Sequence, residues 1–129
     1  MPYRTKAEKR NDHLYFGIEG DFEVGGLGAV LDELINEVAA VKAERVLIDV
    51  REVMGAPDIW ERFQFATLFA TRYLAARAKD SIPPSHFALL GQEPLLDPKR
   101  FGEKVAQNRG LSVRVFLTEP EALEWLRSA

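Results

Sequence analysis

Asp49, Arg51, Glu52 and Asp58, with Met54 among them and Gln92 further along, are the residues of this 129-residue chain best suited to chemistry. Carboxylates beside a guanidinium can hold a polar ligand, place a proton or close an ion pair, and an acid–base enzyme would have to draw on them. The usual partners of such a centre are missing. His13 and His86 have no second histidine or carboxylate at ligand spacing, so both are expected at the surface and no metal site is expected. Ser81, Ser85, Ser112 and Ser128 lack a Gly-x-Ser-x-Gly setting and an adjacent base. Gly25-Gly26-Leu27-Gly28 is followed by neither Lys-Ser nor Lys-Thr, and its spacing fits no dinucleotide fingerprint, which leaves a tight helix entry. Without cysteine there is no disulfide, thiolate nucleophile or cysteine-bound zinc. The expectation is a non-enzymatic chain without a cofactor.

The elements that position these residues follow from periodicity. Charged residues crowd positions 3 to 10 (Arg4, Lys6, Glu8, Lys9, Arg10), as on an edge strand protected from stray pairing. Asn11-Asp12 turns the chain, and Leu14, Phe16 and Ile18 alternate on a second strand. Leu27, Leu31, Leu34, Val38 and Val41 make one helical stripe. Val46 to Val50 reads as a buried central strand, with Val46, Ile48 and Val50 on one face and Leu47 and Asp49 on the other. Asp58 with Glu61 predicts a capping box opening a helix that runs to about Lys79, before Pro83-Pro84. Phe87 to Leu90 is a short strand, Asp97-Pro98 predicts the next helix start with Leu96 against Phe101, and Gly110 its end. Val113 to Leu117 is the last strand. Thr118 to Glu121 predicts a second capping box, opening a helix that buries Ala122, Trp125 and Leu126.

The order is ββαβαβαβα in one domain spanning 1–129, an α/β fold with a mostly parallel sheet and one antiparallel N-terminal edge strand. Asp49 then lies near the carboxyl end of a central strand, where open sheets bind ligands, and Arg51, Glu52, Met54, Gly55, Gly91, Gln92 and Glu93 share that rim. Hydrophobic residues at 47% and charged residues at 29% place the chain among ordinary globular domains, and a net charge of −3 gives no reason to expect nucleic acid. The first ten residues lack the apolar core of a signal peptide, and no apolar run approaches membrane-spanning length, so a cytoplasmic protein is expected.

The stretch Arg45-Val-Leu-Ile-Asp-Val-Arg-Glu-Val-Met-Gly-Ala-Pro-Asp58, together with this element order, resembles the STAS/SpoIIAA-like family of small bacterial domains. Phe101 to Phe116 and Glu121 to Leu126 are similar to the members labelled SEC14-like. The resemblance implies the SpoIIAA-like fold and a regulatory or interaction module. It also implies a phosphorylatable Ser or Thr after the central strand, as in anti-anti-sigma members. Here Ala56, Pro57 and Asp58 stand instead, so that switch is expected to be missing. The SEC14 label implies an alternative, a carrier or sensor of a small apolar or lipid-like ligand.

One helix departs from a single-stripe pattern. Ile59, Phe63, Ala66, Ala70 and Leu74 form one stripe, while Phe65 and Leu68 lie on another side with Phe69 at the margin. Either neighbouring elements cover both sides or a patch is exposed, and an exposed patch marks an interaction surface. The expectation drawn from it is a homodimer contact through Phe65, Leu68 and Phe69, with Arg72 at its rim. The basic residues Lys99, Arg100, Lys104, Arg109 and Arg114 are broken by Glu103 and read as a solvated face, with an acidic partner as the second reading.

Overall fold

The computed structural model describes residues 3–97 and 99–129. Strands β1 (Tyr3–Lys9) and β2 (Leu14–Asp21) form the expected antiparallel hairpin, followed by a 3-10 turn at Val24–Gly26 and helix α1 (Leu27–Val41). Strand β3 (Arg45–Met54), helix α2 (Ile59–Asp80), strand β4 (His86–Leu90), helix α3 (Phe101–Asn108), strand β5 (Val113–Phe116) and helix α4 (Glu119–Ser128) complete the chain. The sheet order is β1-β2-β3-β4-β5, with every pair after the first parallel. This is the expected ββαβαβαβα architecture.

Each face of the sheet has its own core. Phe16, Val46, Ile48, Phe87 and Leu89 face α1, α2 and α3 in a large cluster that also takes in Leu31, Leu34, Val38, Phe69 and Tyr73. Leu47, Ala88 and Leu90 face α4, whose Ala122 and Leu126 are buried against them while Trp125 packs half-buried at the side. Burial of large apolar side chains stabilises by roughly 1.5 to 3 kcal/mol each, so the two sets together fix both faces of β3 and β4. The alternation read from Val46 to Val50 is thus observed, with Asp49 on the α4 face.

Charge fixes α4 at both ends. Arg45 Nε donates to the Leu126 carbonyl at 2.9 Å, satisfying an orphan acceptor at the helix C-terminus. Arg127 Nε reaches Asp12 at 2.8 Å, and at the other end Glu119 accepts from Arg51 NH2 at 3.4 Å. Thr118 precedes the helix as expected, but its hydroxyl donates to the Glu121 carboxylate at 2.7 Å instead of capping a backbone amide. Val41 also departs from the expected stripe. The chain turns left-handed at Lys42 and leaves Val41 exposed at the helix end.

Strand β3 extends four residues beyond the predicted Val50. Its pairing with β2 slips between Gly17 and Glu19, where three β3 residues span what two β2 residues span. This bulge reverses the alternation, so Val53 faces the large core although its parity would place it on the α4 face. The capping box on α2 is formed as predicted, with Asp58 accepting from the Glu61 amide and Glu61 accepting from the Asp58 amide, each at 2.9 Å. At α3 the predicted cap is displaced. The Asp97 carboxylate accepts from the amides of Lys99 and Phe101, and the helix opens at Phe101, while Pro98 lies outside the described residues.

Candidate functional site

Asp49 is 8% exposed, and both carboxylate oxygens are used. Oδ1 accepts from the Arg51 amide and from Arg51 Nε, each at 3.0 Å. Oδ2 accepts from Arg51 NH2 and from the Tyr15 hydroxyl, each at 2.8 Å. Burial alone would raise the Asp49 pKa, but the hydrogen bonds from Arg51 and Tyr15 outweigh it and hold the carboxyl below its ordinary value. Arg51 is held above its ordinary value by the same partner. Burial and the hydrogen bond to Asp49 push the Tyr15 hydroxyl up to about 12. Asp49 thus ties β3 to β2 through Tyr15 and is held in place by Arg51 of its own strand.

Tyr15 reaches Asp49 because Gly17 leaves room for its ring. A Cβ at Gly17 would lie 2.9 Å from the Tyr15 hydroxyl oxygen, and Gly17 pairs directly with Asp49 across the strands. Arg10 stacks over the other face of the Tyr15 ring region, its guanidinium carbon 4.0 Å from the centroid, and bonds Glu8 at 2.9 Å. Tyr15, Arg10 and Glu119 thus join Asp49 and Arg51 in one network. Sequence spacing could not connect them, because they come from three separate elements and the turn after β1.

The other candidate residues do not converge on this pair. Glu52 and Met54 are exposed at the end of β3, Asp58 is occupied in the α2 cap, and Gln92 is exposed after β4. No side-chain hydrogen bond or ion pair joins any of them to Asp49 among the described residues. Among the described residues, only Asp49 and Arg51 of the six candidates are joined by side-chain hydrogen bonds.

The dimer patch drawn on α2 also needs correction. Phe69 is 1% exposed and packs edge-on against Phe87 at 5.0 Å between centroids, so it belongs to the core. Phe65 and Leu68 are half-buried and pack on the same cluster. Arg72 donates to the Gly28 carbonyl at 2.9 Å and pairs with Asp32 at 2.7 Å, joining α2 to α1. The second apolar side of α2 exists because α2 lies between α1 and α3 and buries a flank against each. The residues it leaves in solvent are Trp60 at 73% and Ile59 at 56%, beside Met54 at 64%. Ile59 and Leu74, expected to cover the sheet, are on the exposed side.

His13 was expected at the surface, but its side chain is 6% exposed, with Nδ1 2.8 Å from the Asp12 carboxylate. That contact, with Arg127, holds the Asp12 carboxyl down at about 2. His86 is half-buried against Ser112 and Trp125. Among the described residues no cluster of three or more His, Cys, Asp or Glu could hold a metal ion, and no helix is long and apolar enough to cross a membrane.

On the opposite face of the sheet from Asp49 lies an apolar cavity of about 110 Å³. Its walls come from all five strands, α1, α2, α3 and the segment between β4 and α3, and include Leu31, Ile48, Ala66, Leu89, Leu96 and Ala106. None of the six candidate ligand residues lines it.

With this geometry in hand, the chain can be set beside known proteins. A solved structure of an anti-sigma factor antagonist from Mycobacterium paratuberculosis superposes with a TM-score of 0.58, covering 97% of this chain and 94% of that one at 15% identity. The chain has the STAS/SpoIIAA-like fold. The sequence matches no protein-family model and no curated protein. At 15% identity the likeness extends to the backbone arrangement and not to individual site residues.

Proposed function

We propose that this chain is a non-enzymatic, STAS-like interaction module that engages a protein partner through the corner where β3 passes into α2. The observation that carries the reading is the exposure of three large apolar side chains within seven residues, Met54 at the end of β3 and Ile59 and Trp60 at the capped start of α2. Tryptophan and methionine at such a position are the side chains that anchor protein interfaces, and burying Trp60 alone would remove a large apolar area from water. Ala56 and Pro57 have no hydroxyl, so this corner works without a phosphorylation switch, and Asp58 is explained by its cap. The STAS-like fold supports a regulatory role of this kind. Self-association of the chain is one form the contact can take, now through Trp60 and not through Phe69.

The test is a photo-crosslinking residue placed at position 60 in cells, with position 78 on the exposed end of α2 as control. The expected result is a discrete covalent adduct specific to position 60 that disappears when Ile59→Asp is added. An adduct pattern equal at both positions, or insensitive to Ile59→Asp, would overturn the reading. A second reading, a carrier or sensor of a small apolar ligand, is favoured by the apolar cavity between the sheet and helices α1, α2 and α3.

A further inference from the structure

The geometry points to a ligand site in the apolar cavity that takes a compact, neutral and apolar molecule of about six heavy atoms. It rests on the carrier-or-sensor reading and specifies its ligand. Size comes from the volume: about 110 Å³ is comparable with engineered cavities of about 150 Å³ that bind benzene. The space arises where α2 and α3 present small residues, Ala66 on one helix with Gly102 and Ala106 on the other. A Cβ built on Gly102 meets nothing nearer than the Arg62 carbonyl at 3.8 Å.

Neutrality comes from the charges at the mouth, which are already matched. Arg62 NH1 pairs with Asp97 at 3.2 Å, and Arg100 faces Glu103 at 3.9 Å. Glu103 is held in turn by the Val115 amide at 2.8 Å. A charged head group would have to break one of these pairs. Arg62 offers the ligand no donor. Its NH2 donates to the Pro94 carbonyl at 2.6 Å, and its Nε, without an acceptor among the described residues, lies beneath the surface that bounds the cavity. That surface is almost wholly apolar, so the ligand gains nothing from a polar group. Leu96 comes from the segment that Arg62 ties down through Pro94 and Asp97.

The test follows ¹³C-methyl spectra of the full chain during titration with benzene and with cyclohexanone. Expected are saturable shifts at Leu31, Leu89 and Leu96 with none at Leu47 or Leu126 in the core between the sheet and α4. Benzene should bind at least about five-fold tighter than cyclohexanone, because a carbonyl oxygen buried without a donor carries a desolvation cost. Filling the space with Ala66→Leu, or with Ala106→Leu if the first variant does not fold, should remove the shifts. No saturable shift with either probe, shifts of equal size on both faces, or shifts persisting in the filled variants would refute the site. Equal affinity for the two probes, or a preference for cyclohexanone, would refute the apolar class. If the site saturates but native mass spectra of protein from its own cells show no retained molecule, the carrier reading fails and the site stands.

Discussion

Replacing Asp49 with Ala should cost about 2 to 3 kcal/mol of folding stability, and the structure says where the loss arises. The Arg51 amide and the Tyr15 hydroxyl each lose their acceptor on a covered face of the sheet, at about 1 kcal/mol for each bond. The Arg51 side chain adds little, because it is 38% exposed and can turn to Glu119 or to water. For a domain of this size the total lowers Tm by roughly 6 to 12 °C. The folded-state pKa of Asp49 lies below its unfolded value, so its contribution is fully present above about pH 4 and is lost as pH falls through the folded pKa. Urea denaturation at pH 7 and below pH 4 should therefore show the variant and the parent converging in acid. Tyr15→Phe alone should cost about 1 kcal/mol, and in a double-mutant cycle it should couple to Asp49→Ala by about that amount. A loss under about 0.5 kcal/mol for Asp49→Ala, or strict additivity with Tyr15→Phe, would refute the view that this carboxylate is a structural tie.

The same network predicts that Gly17→Ala pushes the Tyr15 ring off Asp49, so the ultraviolet titration of Tyr15 should move from about 12 toward 10. In the parent, the raised Tyr15 pKa gives stability that is complete below about pH 10 and is lost as pH climbs through the folded value. Asp58→Ala removes half of the α2 capping box and should cost about 1 kcal/mol in chemical denaturation without changing the fold by circular dichroism. Glu103→Ala frees the Val115 amide on the outer edge of β5 and should raise light scattering at high concentration, because an unpaired strand edge recruits other strands. Intact-mass analysis of protein from its own cells should show no phosphate on residues 52–60.

The features most legible in the sequence were those with a local cause. The α2 capping box needs only Asp58 and Glu61 three residues apart, and the facing of Val46 to Val50 needs only the pleat. What escaped were effects set by distant elements. The bulge opposite Gly17 lets β3 continue to Met54 with reversed parity, and nothing in Arg51-Glu52 announces it. Phe65, Phe69 and Leu68 look like a surface patch until α2 is seen between two helices, and Ile59 looks like core until the helix rotation is known. Asp49 was correctly marked as unusual, but its second partner, Tyr15, lies 34 residues earlier in the chain. The cavity is a matter of what Ala66, Gly102 and Ala106 fail to fill, and unfilled volume leaves no periodicity to read.

The order of strands in the sheet is also their order in the chain, from β1 to β5 without a skip. Each strand therefore finds its partner already formed when it arrives, and no pairing has to wait for a segment made later. During synthesis the β1–β2 hairpin can close first, and each following helix–strand unit adds to a growing edge with only a modest loop to close. The exception is α4, which must cover Leu47, Ala88 and Leu90 and follows all five strands in the chain. Until it docks, those three side chains are in water, so the unfinished chain passes through a stage with one finished face and one bare one. Folding should show a fast phase that builds the sheet, with Trp125 reporting the closing step.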